Sequence, residues 1–291
     1  MNKQTQESRN IRLSESSMKK ILLINDLPGY GKVALAAMIP VLSHMKYEVF
    51  NLPTAIISNT LDYGCFEIIN TTEYMRNTLS VWKQLGFSFN AIATGFVLSN
   101  EQTELIYNFC KEKSGEGAVI FCDPIMGDDG SLYNGVSEAI VLSMRKLISI
   151  ADYIVPNYTE AVYLAGMEYK KEGLTDEEQK NLINSLRKIC SKSIVITNVR
   201  RKETGTQSVI GYDHECKMYF QIEFTEIPVR FPGTGDIFLA ELMGNILSRK
   251  PLYDSTESAM QTVKRMIERN VDNFDKFRGI PVETCLEVIG I

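Results

Sequence analysis

Histidine is nearly absent from this chain: His44 and His214 are the only two, and they lie far apart. The six cysteines, Cys65, Cys110, Cys122, Cys190, Cys216 and Cys285, form no C-x-x-C pair. Together these absences exclude the usual ligand sets of a structural zinc site. Cys110, Cys122 and Cys285 sit in apolar or mixed segments and read as buried thiols, a usage that suits a reducing cytoplasm. No apolar run approaches the roughly 18 residues of a membrane span. The opening MNKQTQESRNIRLSESS has no apolar core, which excludes a secretory signal. Residues 1–18 instead read as a disordered polar extension. Basic residues are not in excess either. Lys and Arg total 31 against 36 Asp and Glu, a formal net charge of -5. General nucleic-acid binding needs a basic face and is not expected.

What is present describes an ordinary soluble protein, 44% apolar and 23% charged. Its 291 residues suffice for a sizeable core. With no repeat or low-complexity linker, residues 19–291 read as one domain. Ile21–Ile24 is a short apolar run, as expected of a strand buried on both faces. Further strands are expected at Tyr47–Leu52, Ala91–Thr94, Ala118–Cys122, Tyr153–Val155 and Ile194–Thr197. Helical patterns fall between them: Val33–Met45 with a kink at Pro40, Thr72–Leu85, Glu101–Lys113, Ser137–Ile148, Thr159–Ala165 and Thr175–Cys190. Met75, Leu79, Trp82 and Leu85 read as the core stripe of the second. Val209–Tyr212 and Lys217–Phe224 read as an antiparallel pair, followed by helices Thr234–Leu247 and Ser255–Asn270. The alternation predicts an α/β/α sandwich on a mostly parallel sheet.

In such sheets ligands sit beyond the carboxyl ends of the strands. Polar clusters occur at seven such ends: Asn25-Asp26, Ser58–Thr60, Thr94–Phe96, Asp123, Asn157 with Glu160, Thr197-Asn198, and Gly233–Asp236. Gly29-Tyr30-Gly31-Lys32-Val33-Ala34 fits G-x-G-x-x-A, but no acid ends the second strand, so the dinucleotide fingerprint is incomplete. A tight turn into a helix accounts for it as well. Asp123–Gly130, DPIMGDDG, reads either as an Asp/Gly-rich turn or as carboxylates around a hydrated cation. Asn157 and Glu160 read either as a helix cap with a first-turn acid, or as one helix face holding waters around magnesium. The FPGTGDIF stretch, Phe231–Phe238, is the most informative. Its glycines precede an apolar helix whose free N–H groups form a phosphate-sized anion hole.

GTGD at Gly233–Asp236, N-x-x-E at Asn157–Glu160, and the order TGF, DPIMGD, PNYTEA resemble the ribokinase-like small-molecule kinases, and within them the vitamin B6 kinases. The resemblance runs from about Lys20 to the end of the helix after GTGD. It implies the ribokinase-like α/β/α sandwich and ATP-dependent phosphorylation of the 5′-hydroxymethyl group of pyridoxal, pyridoxine or pyridoxamine. It also implies magnesium, a monovalent cation such as potassium, and a homodimer. Carried over by position, Asp236 is the general base. Gly233, Thr234 and Gly235 bind phosphate, and Thr197 and Asn198 face the nucleotide. Asp123, Asn157 and Glu160 belong to the magnesium and phosphate network. Asp26, Ile57, Thr60 and Phe96 surround the pyridine ring. The sequence departs from the pattern on the ring side. Ser or Thr is usual where Asp26 stands, Tyr is common at Phe96, and Ser58–Asp62 lacks the histidine of S-x-H-T-G. A kinase for hydroxymethylpyrimidine or a sugar, or a silent homologue that binds B6 or nucleotide, remains open on these residues.

Overall fold

The computed structural model describes residues 18–133 and 137–290. The extension expected at residues 1–18 lies outside the described residues as far as residue 17. β1 (Lys20–Tyr30) leads into α1 (Ala34–His44), β2 (Glu48–Asn59), β3 (Ile68–Asn70) and α2 (Thr72–Leu85). Next come β4 (Ala91–Thr94), α3 (Asn100–Gly115), β5 (Val119–Cys122) and a small hairpin, β6 (Gly127–Asp128) with β7 (Ser131–Leu132). α4 (Glu138–Ile148), β8 (Tyr153–Ile154), α5 (Tyr158–Ala165) and α6 (Asp176–Arg187) follow. Then come β9 (Ser193–Arg200), β10 (Gln207–Asp213), β11 (Met218–Phe224), α7 (Thr234–Leu247) and α8 (Leu252–Asn270).

Nine strands form one sheet in the order β11-β10-β9-β8-β5-β4-β1-β2-β3. The six from β9 through β2 are parallel, and antiparallel strands cover both edges. The layering follows from side-chain alternation along each strand. In β1, Ile21 and Leu23 enter a core with α1, α7 and α8. Leu22 and Ile24 enter the opposite core, with α2 through α6. The sheet is thus buried on both faces, which explains the continuous apolar run of β1.

Two expectations need correction. β1 does not stop at Ile24: after an irregularity between Asn25 and Leu27, Leu27–Tyr30 pairs with Ile56–Asn59 of β2. Gly29 therefore lies in a strand, where a Cβ would approach the Ser58 carbonyl to 2.9 Å. The glycines at 29 and 31 serve strand pairing and close approach, not a turn that cradles phosphate. Leu85 is 61% exposed. Positions 75, 79 and 82 share a stripe, whereas 85 falls about 80° from Met75 around the helix.

Candidate active site

α7 begins immediately after Gly233, whose φ of 85° is left-handed backbone. A Cβ on Gly233 would meet the Lys32 carbonyl at 2.3 Å, so only glycine lets the two segments close. No side chain caps this helix, which leaves its first N–H groups open to a ligand. Gly235 is different: a Cβ there would meet nothing within 4 Å. The protein itself does not require glycine at 235. Open space above an uncapped helix start is where an anion would sit.

Asp236 lies in the first turn of α7. Its Oδ2 accepts the Ala34 N–H at 2.7 Å, at the start of α1. Its Oδ1 accepts only a longer bond, 3.3 Å, from Asn25 Nδ2. Asp236 thus ties the irregularity of β1 and the starts of two helices to one point. Part of its surface is open, yet protein packs closely around the carboxyl. Burial pushes it up to about 6, against the lowering pull of the Ala34 N–H and the Asn25 amide.

Three more carboxylates surround this point. Asp26, beside Asn25, is buried and pushed up to about 7 by burial and then by the Asp236 charge. Asp123 follows β5, its N–H donating to the Thr94 carbonyl. Burial, then the charges of Glu160 and Asp236, hold it well above the usual carboxylate range. Glu160 is buried in the first turn of α5. Its Oε1 accepts the Met126 N–H at 3.0 Å and its Oε2 the Asn157 N–H at 2.8 Å. Burial raises Glu160 to about 8, although backbone N–H groups of Asn157, Met126 and Gly127 pull it down.

Asn157 and Glu160 form a full capping box: the Asn157 Oδ1 accepts the Glu160 N–H at 2.9 Å. Asn157 Nδ2 also donates to the Gly127 carbonyl at 2.8 Å, which fastens the β6–β7 hairpin to α5. The two readings left open at this pair are therefore compatible. The cap is built, and it fixes the segment that follows Asp123. Both Glu160 oxygens already accept N–H groups, so the pair suits a cation that keeps its waters. Among the described residues no cluster of three His, Cys, Asp or Glu could hold a metal by protein ligands alone. Asp123 and Glu160, both held above the usual carboxylate range by burial, would suit a magnesium ion that keeps its waters.

The other expected residues fall in two places. Thr197 and Asn198 lie in β9 beside the α5 start: the Thr197 N–H donates to the Pro156 carbonyl at 3.0 Å, and Asn198 has a left-handed φ of 58°. Phe96 is next to Asp26, because its N–H donates to Asn25 Oδ1 at 2.8 Å. Ile57 and Thr60 belong to the β1–β2 extension. Ile57 pairs with Pro28 and with Ile68 and is buried. The Thr60 hydroxyl donates to the Phe277 carbonyl at 2.6 Å, so it is already committed. A cavity of about 280 Å³ flanks this extension, lined by Pro28, Tyr30, Lys32 and Arg278 among others.

Sequence reasoning did not assign Asn25, Ala34 or Arg230. Asn25 carried a signal, being polar directly after the apolar run Ile21–Ile24. Ala34 carried none, because it acts through its N–H. Arg230 pairs with Asp128 at 3.0 Å and Asp129 at 3.4 Å, linking the hairpin to the segment before Gly233.

Comparison with known proteins bears on this geometry. A pyridoxal kinase of Arabidopsis thaliana is 30% identical over 94% of this chain and 89% of its own. A Bacteroides thetaiotaomicron protein described as a phosphomethylpyrimidine kinase and crystallised with pyridoxal is 33% identical, with a TM-score of 0.89 over 94% of this chain and 96% of that one. Pyridoxal kinase of Lactobacillus plantarum is 26% identical, with a TM-score of 0.84 over 94% of this chain and 97% of that one. The fold is accordingly the ribokinase-like sandwich of these kinases. Residues 27–280 match the model of the phosphomethylpyrimidine kinase family, and the chain belongs to that family.

Proposed function

We propose that this protein transfers the γ-phosphoryl group of ATP to the 5′-hydroxymethyl group of a B6 vitamer, supplying pyridoxal 5′-phosphate by salvage. One observation carries the reading: Asp236, in the first turn of an uncapped helix, is fixed by Ala34 and Asn25 beside an open anion hole. Pyridoxal bound to the Bacteroides relative supports the choice of acceptor.

Phosphoryl transfer needs placement and charge neutralisation more than covalent help. The N–H groups of Thr234, Gly235 and Asp236 take up negative charge on the transferring group. Asp236 accepts the proton of the attacking hydroxyl, and its pKa near 6 leaves it mostly ionised at neutral pH. Thr197 and Asn198 face the nucleotide. Asp26, Ile57, Thr60 and Phe96 line the ring side. Asp123, with Asn157 and Glu160 behind it, would hold magnesium through water; when bound, that ion neutralises phosphate charge. A potassium requirement, a homodimeric state, a cytoplasmic setting and one domain over residues 19–291 complete the proposal.

The test is an ATP-consumption screen over pyridoxal, pyridoxine, pyridoxamine, hydroxymethylpyrimidine and ribose, with magnesium and with or without potassium. Fastest turnover of a B6 vitamer is expected. Preference for hydroxymethylpyrimidine would move the assignment to the second reading, which the partial ring-side match keeps open. No turnover of any compound would leave a binding protein. Asp26 bears on the vitamer: ionised above pH 7, it would favour the cationic amine of pyridoxamine. Asp26→Ser should lower the ratio of kcat/KM for pyridoxamine over pyridoxal, and an unchanged ratio sinks that role.

A further inference from the structure

Asn25 is 3% exposed and sits at the irregularity of β1, between the loop after β4 and Asp236. Its Oδ1 accepts two backbone N–H groups, from Asp26 at 3.0 Å and from Phe96 at 2.8 Å. Two donors on one atom require that atom to be the oxygen, so the amide orientation is forced. Its Nδ2 is therefore a donor, and it points at Asp236 Oδ1, 3.3 Å away, with Met38 Sδ at 3.9 Å as its other neighbour. Gly95 completes the seat. A Cβ there would lie 2.5 Å from Nδ2, 2.6 Å from Cγ and 2.7 Å from Oδ1 of Asn25.

We infer that Asn25 is a positioning residue for the base: its clamped amide orients the Asp236 carboxylate so that Oδ1 meets the attacking hydroxyl. Oδ2 is occupied by the short Ala34 bond, whereas Oδ1 keeps capacity beyond its long bond to Asn25. The inference rests on the kinase reading above. The charged groups facing Asp236 from packed elements are Asp26 on β1 and Asp123 after β5, with Glu160 of α5 behind Asp123. Of the cations on the adjoining segments, Lys32 pairs with Glu283, and Arg230 with Asp128 and Asp129.

Asn25→Asp separates the two jobs of this side chain. Its Oδ1 still accepts from Asp26 and Phe96, but it cannot donate to Asp236 and places a second charge there. We expect KM for ATP within about threefold of wild type, kcat at pH 7 down about tenfold or more, and the acid limb of kcat about one pH unit higher. The shift should persist in an Asp26→Asn background. Gly95→Ala, which pushes the amide aside without adding charge, should move kcat and the limb in the same directions by less. The same upward shift should appear in the Asp236 carboxyl resonance of ligand-free protein by carbon-13 NMR. An active wild type, with the limb and the resonance unmoved in both variants, overturns the inference. A wild type inactive on every compound, with the resonance shifted as expected, overturns the kinase reading and leaves the Asn25–Asp236 contact standing.

Discussion

Gly233 and Gly235 stand two residues apart and are glycine for different reasons. Gly233 needs its left-handed backbone and has no room for a Cβ beside Lys32. Gly235 has room, and the space it leaves belongs to the ligand. We therefore expect Gly233→Ala to lower Tm by several degrees, through strain of about 1–3 kcal/mol. Gly235→Ala should leave Tm unchanged or slightly raised, because alanine favours a helix, while KM for ATP rises about tenfold. Thermal melts beside ATP titrations separate the two; an unaltered KM in Gly235→Ala would remove the anion hole from the account. Residue types at strand ends were readable from sequence. The partners were not: Asn25 meets Asp236 across 211 positions, and Ala34 acts through a backbone group that any residue carries.

At the scale of elements, what is local in sequence is also local in structure. The bounds of α2 and α7 match their periodicity, and the capping box of α5 is visible in N-x-x-E. The continuation of β1 was hidden, because Pro28 and Gly29 are ordinary turn residues and only pairing with β2 holds them extended. Asn157 shows an element serving a site. Asn157→Ala removes both the cap and the bond to Gly127, and should lower Tm by a few degrees, about 1–2 kcal/mol. Asn157→Asp keeps the acceptor for Glu160 N–H and should cost less. Equal losses would place the stabilisation in the hairpin link instead of the helix cap.

Across the whole molecule, one sheet carries two cores, and the acids gather where its parallel strands end. The alternation of apolar runs made this architecture legible, since each strand had to be buried on both faces. Strand order was not legible, because it depends on crossovers between distant segments. The clustered acids have a global consequence. Asp26, Asp236 and Glu160 titrate near 7, 6 and 8 in the folded protein, and near 4 when unfolded. Folded-state values raised in this way mean that the native state binds more protons between about pH 4 and 8, so their stability contribution is lost as pH rises through that window. Ligand-free protein should melt several degrees lower at pH 8 than at pH 6, and magnesium should narrow the gap by binding the folded form. A melting temperature that rises from pH 6 to pH 8 without magnesium would contradict this field of unpaired carboxyls.

The central claim is that Asp236 takes the proton of a hydroxyl that attacks ATP. It is tested most directly by comparing wild type with Asp236→Asn in 5′-phosphate formation from the preferred B6 vitamer, with ATP affinity measured by calorimetry on the same samples. The account predicts a kcat lower by about 10² to 10⁴ with ATP affinity nearly kept. Near-normal turnover in the variant, at an unchanged ATP affinity, would contradict it.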